Sequence, residues 1–267
     1  MRFAPAIFLS VLFAAVCASP QSWRQRVTVT QAQQPHWINP LATTTGRLEQ
    51  GFRFDVQHQH TGTGGVNNLG SGKGFKLIPA PRIELQLNLP PYLSHENPTV
   101  KDGWSDVSFN LKYRFLARPE KKGNLIFTGF MGGSAPTGQY KNGSTAASLI
   151  PTLAAGKGWG WFDVQSTLAG NLPVENVKTI GRAIVWNTAF QGHVLKRLWP
   201  EVEVNSTSWA GGAHDGKKQA FLTPGIVIGR FPMDKRVAFA FGGGFQVAAT
   251  RYHASNHNTL LTFRVRF

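Results

Sequence analysis

Apolar and polar side chains alternate along most of the chain after residue 46. Residues 82–89 (RIELQLNL) carry an apolar side chain at every second position and charged or amide side chains between them. The same alternation recurs in residues 106–116 and 259–267. Because successive side chains of a strand point to opposite faces, each segment predicts a strand with one apolar and one polar face.

The length of these segments indicates what surrounds the apolar face. Many span about ten residues, which a tilted strand needs to cross a bilayer, whereas soluble strands usually have about five or six. Small residues also recur on the polar face of residues 236–249, which leaves room for a lumen. The pattern predicts an all-β protein, an antiparallel transmembrane β-barrel of the bacterial outer membrane.

The number of strands follows from a count of the alternating segments. Eleven are evident, and single-chain bacterial barrels have an even number. A glycine-rich strand at residues 66–78, followed by a turn at 79–81, would make twelve, with ten as the alternative. The predicted strands cover residues 47–60, 66–78, 82–89, 106–116, 124–134, 147–157, 161–170, 180–194, 199–209, 218–229, 236–249 and 259–267.

The last strand closes the predicted barrel. Residues 259–267 end on an outward-facing aromatic, Phe267, which we interpret as the signal for membrane assembly. The strand should pair with the first one, residues 47–60. This pairing would bring Arg264 and Arg266 near Asp55 and form an ion pair at the seam.

The amino end has the features of an export signal. A single basic residue, Arg2, precedes an apolar stretch and a small-residue cleavage site at residues 16–18, so residues 1–18 are predicted to be a cleaved signal peptide. Cys17 is the only cysteine, and lipidation there is a weaker alternative because Val16 precedes it. Residues 19–46 are polar without a period, and form a periplasmic lead-in or a small plug. The barrel should occupy residues 47–267.

Charge and motifs narrow the range of partners. The net charge is +15, but no basic helix or nucleic-acid motif is present, so we expect no nucleic acid and instead contact with anionic outer-membrane lipid and lipopolysaccharide.

No serine is spaced to pair with a histidine base, and the histidine pairs 58/60 and 253/257 lack a third ligand. Glycine strings at 70–74 and 156–158 lack the Walker pattern. We predict no enzyme, cofactor or metal.

The polar face of the strands should line the lumen. Charges of both signs facing one another across a narrow barrel either pair and fill it or form a selective constriction. The predicted lumen residues are Arg53, Asp55, Arg82, Glu84, Asp106, Lys112, Arg114, Glu201, Glu203, Arg264 and Arg266.

Several stretches resemble the family named for the MetA pathway of phenol degradation. They are IPAPRIEL (78–85), DGWSDVSFNLKYRF (102–115), SAPTG (134–138), PTLAAGKGWGWFDVQS (151–166), LWPEVEVNSTSW (198–209) and LTPGIVIGRF (222–231). The resemblance covers residues 46–267, and its most specific part is Lys112 to Phe115. It implies a transporter-like outer-membrane barrel of Gram-negative bacteria that passes small, rather hydrophobic or aromatic compounds, and it supplies no catalytic residues.

Together these observations predict a transporter-like or channel barrel for small solutes. It would be inserted by the barrel assembly machinery. A closed barrel with a structural or surface-binding role is the alternative, and a lipid-modifying enzyme is a third, weaker hypothesis.

Overall fold

A computed structural model describes residues 22–267. The predicted signal peptide, residues 1–18, lies outside the described residues. The chain begins with helix α1 (Trp23–Ala32), and Ser22 caps it by accepting a hydrogen bond from the Gln25 amide while the Gln25 side chain bonds back to the Ser22 amide. None of the helices among residues 22–267 is long and apolar enough to cross a membrane.

The rest of the chain is dominated by one antiparallel sheet of fifteen strand segments. A short helix, α2 (Val177–Ile180), lies between the tenth and eleventh segments. The segments are β1 (Gly51–Thr61), β2 (Gly64–Gly70), β3 (Gly74–Ala80), β4 (Ile83–Asn88), β5 (Tyr92–His95), β6 (Gly103–Trp104), β7 (Val107–Arg118), β8 (Leu125–Ala135), β9 (Ser148–Trp159), β10 (Phe162–Pro173), β11 (Arg182–Gly192), β12 (Leu198–Ala210), β13 (Lys218–Pro232), β14 (Ala238–Ala248) and β15 (His257–Arg266).

The fifteen segments make twelve barrel strands. Both β2 and β3 run antiparallel to β1, so they form one barrel strand that is interrupted at residues 71–73. In the same way β4 continues into β5 past residues 89–91, and β6 into β7 past 105–106. The prediction of twelve strands is therefore confirmed, and the alternative of ten is wrong. The glycine-rich strand at 66–78 exists, but its interruption at 71–73 was not predicted.

The sheet closes between its first and last strands. β1 pairs with β15 from Gly51 opposite Arg266 to His60 opposite His257. This pairing confirms the predicted seam and removes the free edges that an open sheet would expose.

The two faces of the wall differ as predicted. Outward side chains are apolar and exposed, for example Phe115 on β7, Leu153 on β9 and Ile184 on β11. Inward side chains on the same strands are polar, as with Lys112 and Arg114 on β7. An outer face of exposed apolar side chains that runs across many strands is the surface that membrane barrels present to lipid.

The connections differ between the two ends of the barrel. Short turns at 81–82, 160–161 and 233–237 lie at the end that also carries the carboxyl terminus, which we call the turn end. Longer connections such as 136–147 lie at the opposite end, the loop end, where only the turn at 62–63 is short.

Candidate functional site in the barrel lumen

Residues 33–50, which we call the luminal segment, run from α1 into the barrel and return to β1. The Gln34 side chain closes the segment into a loop, because it donates to the Leu48 carbonyl at 2.7 Å and accepts from the Leu48 amide at 3.0 Å. Residues along this loop, among them Leu41 and Thr43, are buried. They hydrogen bond to inward side chains of β10, β12 and β15. The segment therefore occupies the lumen.

Apolar side chains of the luminal segment pack against the inner wall. Trp37, Ile38 and Leu41 form a buried cluster with Ile126, Trp199, Val227 and Ala240. Leu41 lies against Gly225 and Gly244, where its Cδ1 is 2.6 Å from the position that a Cβ at Gly244 would take. The small inward residues that we expected to leave the lumen open thus receive the Leu41 side chain.

Two neighbouring glutamates of β12 hold the tip of the segment. The Leu41 amide donates to Glu201 Oε1 at 2.8 Å, and the amides of Ala42 and Thr43 donate to the two carboxylate oxygens of Glu203 at 2.7 and 2.5 Å. Both glutamates are buried, and no ion pair joins either of them to a cation within residues 22–267. Their acceptor capacity is met largely by the backbone of the segment.

Two arginines at the seam bind carbonyl groups of the same tip, which we define as residues 39–43. Arg53 donates to the carbonyl of Pro40 at 3.1 Å and to that of Leu41. Arg264 donates to the carbonyls of Pro40, at 3.0 Å, and Asn39. The two arginines face each other across the β1–β15 pair.

The ion pair at the seam is not the one predicted. Asp55 pairs with Arg53 at 2.7 Å and accepts a hydrogen bond from Thr262 at 2.5 Å. Arg53 lies two residues from Asp55 on the same inward face, whereas the guanidinium of Arg264 turns to the luminal segment. Arg266 instead bonds to the Gln31 side chain of α1.

Three further charged side chains of the wall, Glu84, Lys112 and Arg114, contact helix α1 and the two ends of the luminal segment. Lys112 pairs with Glu84 at 3.0 Å, and both side chains are fully buried. Lys112 also donates to the Thr45 carbonyl at 3.2 Å, and the Glu49 amide donates to Glu84. Arg114 donates to the Thr30 carbonyl at 2.8 Å and to the Gln34 side chain at 3.0 Å.

Two of the predicted lumen residues lie elsewhere. Arg82 is in the exposed turn before β4 with a φ of 71°, so the alternation of that strand does not extend to it. Asp106 lies in the interruption between β6 and β7 and accepts from the amides of Gly138, at 2.9 Å, and Ser144, at 2.7 Å, which holds a connection at the loop end. The other predicted lumen residues point into the barrel.

Sequence reasoning missed several residues that contact the luminal segment. Lys76 pairs with Glu49 at 3.0 Å, and Arg230 donates to the Trp37 carbonyl at 2.6 Å. Gln165 donates to the Ile38 carbonyl at 3.0 Å and accepts from Thr45 at 2.6 Å. Lys76 on β3 and Gln165 on β10 lie at inward positions of the alternation, so a list of every polar side chain on the inward face would have included them. Arg230 lies one residue past the predicted end of its strand at residue 229.

A tether at the turn end joins the luminal segment to the connection between β7 and β8. The backbone amide of His36 donates to Glu120 at 2.5 Å, and the His36 ring lies 3.0 Å from the other carboxylate oxygen. Burial opposes ionisation of Glu120, but the hydrogen bonds from His36 outweigh it and hold the pKa of the carboxyl below its ordinary value.

The lumen changes character toward the loop end. On β12 the inward residues Glu201 and Glu203 are buried, whereas Asn205 and Thr207, farther along, are partly exposed. Asn110 on β7 and Asn187 on β11 are also partly exposed. These neutral polar residues line a vestibule, which we define as Gln57, Ser108, Asn110, Asn187, Asn205 and Thr207.

The structure keeps the predicted pair 58/60 together and adds His257 to it, whereas His253 of the other predicted pair bonds elsewhere. The ring of His60 lies 4.3 Å from that of His58 and 4.1 Å from that of His257, while His253 bonds to Asn256. No group of three His, Cys, Asp or Glu side chains in residues 22–267 is arranged to hold a metal ion. No serine hydroxyl in this part of the chain hydrogen bonds to a histidine ring.

The fold and the site together define a class of structure, a closed twelve-stranded antiparallel barrel whose lumen holds a segment of its own chain. No protein-family model and no curated protein matches the sequence. Among solved structures, the chain is similar to the COG4313 outer membrane channel from Pseudomonas putida F1, with 15% identity, a TM-score of 0.56, and coverage of 86% of this chain and 99% of that one.

A second similar structure is the NanC porin, with 8% identity, a TM-score of 0.52, and coverage of 80% of this chain and 98% of that one. Similarities at these identities establish the fold, which is that of outer-membrane barrels. The resemblance drawn from the sequence is supported at this level, and membership of the MetA family remains a prediction.

Proposed function

We propose that the protein is an outer-membrane channel for small solutes and that the luminal segment closes it. The observation that carries the proposal is where the luminal segment lies. It fills the charged part of the lumen, on the turn-end side of the solvent-accessible polar vestibule. A twelve-stranded barrel is intermediate between filled eight-stranded barrels and open porins of sixteen strands or more, so a segment of this size is enough to obstruct it. Its departure would open a path through the protein.

In this proposal the barrel crosses the outer membrane of a Gram-negative bacterium after export and removal of the signal peptide. The turn end faces the periplasm and the loop end faces outward, in keeping with the short periplasmic turns of bacterial barrels. The apolar outer face contacts lipid, and the basic chain contacts lipopolysaccharide. Phe267, 39% exposed, is available to the assembly machinery.

The identity of the solute has two lines of support. The resemblance to the MetA family favours small hydrophobic or aromatic compounds. The lumen favours polar compounds, because the wall beside the segment carries arginines and glutamates and the vestibule carries neutral amides and hydroxyls.

A disulfide that locks the segment to the wall tests the proposal. An ideal Cβ at Gly46 lies 3.4 Å from Ala154 Cβ, close to the 3.5–4.5 Å that disulfides require. The variant Gly46→Cys/Ala154→Cys contains one further cysteine, Cys17, in the predicted signal peptide. We expect the oxidised variant to carry no single-channel current in planar bilayers and reductant to restore the wild-type current. Gly46→Cys alone is the control and should not respond to reductant.

The filled lumen also favours the alternative of a permanently closed structural barrel. That alternative predicts no current and no solute uptake from the wild type or the reduced variant. Equal currents before and after oxidation, with the disulfide shown to be complete, would instead contradict closure by the segment.

A further inference from the structure

The barrel wall binds the tip of the luminal segment through its backbone. Three carbonyl oxygens, of Asn39, Pro40 and Leu41, accept from Arg53 and Arg264. Three amides, of Leu41, Ala42 and Thr43, donate to the two glutamates of β12. Two arginine side chains and two glutamate side chains thus hold a stretch of five residues, and none of these contacts uses a side chain of the segment.

The spacing of these contacts corresponds to a short peptide. Two residues separate the Pro40 carbonyl from the Thr43 amide, and an extended chain advances about 3.3–3.6 Å per residue, so these two residues span roughly 7 Å when the chain is extended. The ammonium and carboxylate groups at the ends of a dipeptide have a similar separation. Charged groups form stronger hydrogen bonds with arginine and glutamate than neutral amides and carbonyls do.

We propose that this part of the wall is a binding site for dipeptides and similar zwitterions, which the tip of the luminal segment imitates. The ammonium group of the solute would take the place of the amides at Glu201 and Glu203, and its carboxylate would take the place of the carbonyls at Arg53 and Arg264. The inference rests on the proposed channel function, because the segment must leave for a solute to bind. An uncharged aromatic compound would not replace the hydrogen bonds that Glu203 and Arg264 make with the segment, which costs free energy in a confined lumen, although Arg53 would keep its ion pair with Asp55.

Uptake by liposomes that contain the full-length wild-type protein tests this inference. The probes are Ala-Ala, which is zwitterionic, its blocked analogue N-acetyl-alanine amide, which is uncharged and of comparable size, and benzyl alcohol as the uncharged aromatic solute. Glycerol serves as the reference solute in the same vesicles. We expect Ala-Ala to enter at least about tenfold faster than N-acetyl-alanine amide after normalisation to protein-free vesicles.

Variants assign the preference to the site. Glu203→Gln and Arg264→Gln should each reduce the ratio of Ala-Ala to glycerol uptake about tenfold, while glycerol uptake itself rises because each change also removes a contact that holds the closing segment. Leu153→Ala on the outer face should leave the ratio unchanged. Glycerol uptake with no preference for Ala-Ala over its blocked analogue, or faster entry of benzyl alcohol, would overturn the zwitterion site and leave the channel intact. No protein-dependent uptake of any solute would overturn both proposals.

Discussion

Replacing Leu41 by alanine should open the channel. Leu41 is the apolar anchor of the segment tip and is only 2% exposed in the structure. If opening moves the tip out of its contacts, the side chain is buried in the closed state alone. Truncation then destabilises the closed state relative to the open one.

The expected size of this effect follows from burial. Leu→Ala substitutions at buried positions cost about 2–5 kcal/mol of stability. We take about 2–3 kcal/mol for the closed state, because the wall beside Leu41 is formed by Gly225 and Gly244, whose backbone can relax into part of the cavity. A factor of ten in an equilibrium corresponds to about 1.4 kcal/mol. The ratio of open to closed channels should therefore rise roughly 30- to 150-fold.

Single-channel recording at constant voltage measures this ratio directly. Leu153→Ala is a matched control, because it makes the same substitution on the outer face, where the side chain is 51% exposed. Leu41→Met tests whether volume rather than identity matters, since volume-conserving exchanges are usually tolerated.

The partner of Leu41 provides a second test of the same contact. An alanine at Gly244 would place its methyl group against Leu41 Cδ1, so Gly244→Ala alone should also favour opening. Combined with Leu41→Ala, the methyl group would occupy the vacated space, and the double variant should gate more like the wild type than either single variant. An unchanged open fraction in Leu41→Ala, or strictly additive effects in the double variant, would refute the packing of Leu41 as the closing contact.

Three further predictions concern the rest of the structure. Lys112→Met should destabilise the barrel by about 3–5 kcal/mol because it leaves the buried Glu84 carboxylate without its cation; denaturant unfolding in vesicles should show a smaller loss when Glu84→Gln is added, and equal losses would argue against the pair. The pKa of Glu120 is lowered in the fold, so its tether to His36 stabilises the closed segment at pH values above the ordinary glutamate pKa of about 4.3 and is lost as the pH falls through the lowered pKa. The open fraction of channels should therefore increase at acidic pH, and it should increase less in Glu120→Gln. An identical pH profile of the open fraction in both proteins would exclude the tether. Phe267→Ala should reduce the membrane-inserted fraction of exported protein without changing the conductance of inserted channels, which cell fractionation and recording would check; normal insertion would show that this residue is not the assembly signal.

The alternation of side chains was sufficient to predict the barrel. A period of two is a local property, because each residue of a strand points opposite to its neighbours whatever the strand pairs with. It indicated eleven of the twelve strands, the closure of β15 on β1, and the inward direction of residues such as Lys112 and Glu203, while the twelfth strand was inferred from the even strand number of bacterial barrels. It was wrong for Arg82 and Asp106, which lie where the extended conformation is broken by a turn or an interruption.

Only the tertiary structure decided what the inward charges contact. Residues 33–46 have no period, and the alternation that begins at residue 47 predicted a strand four residues before β1 starts. The wall binds backbone amides and carbonyls of the luminal segment, which every sequence possesses, so no residue pattern predicts the interaction. Both Arg53 and Arg264 bind the luminal segment, and only the tertiary structure shows that Arg53 is the one that also pairs with Asp55. Local alternation therefore determined the wall of this protein, while the contents of its lumen were decided by contacts between residues far apart in the chain.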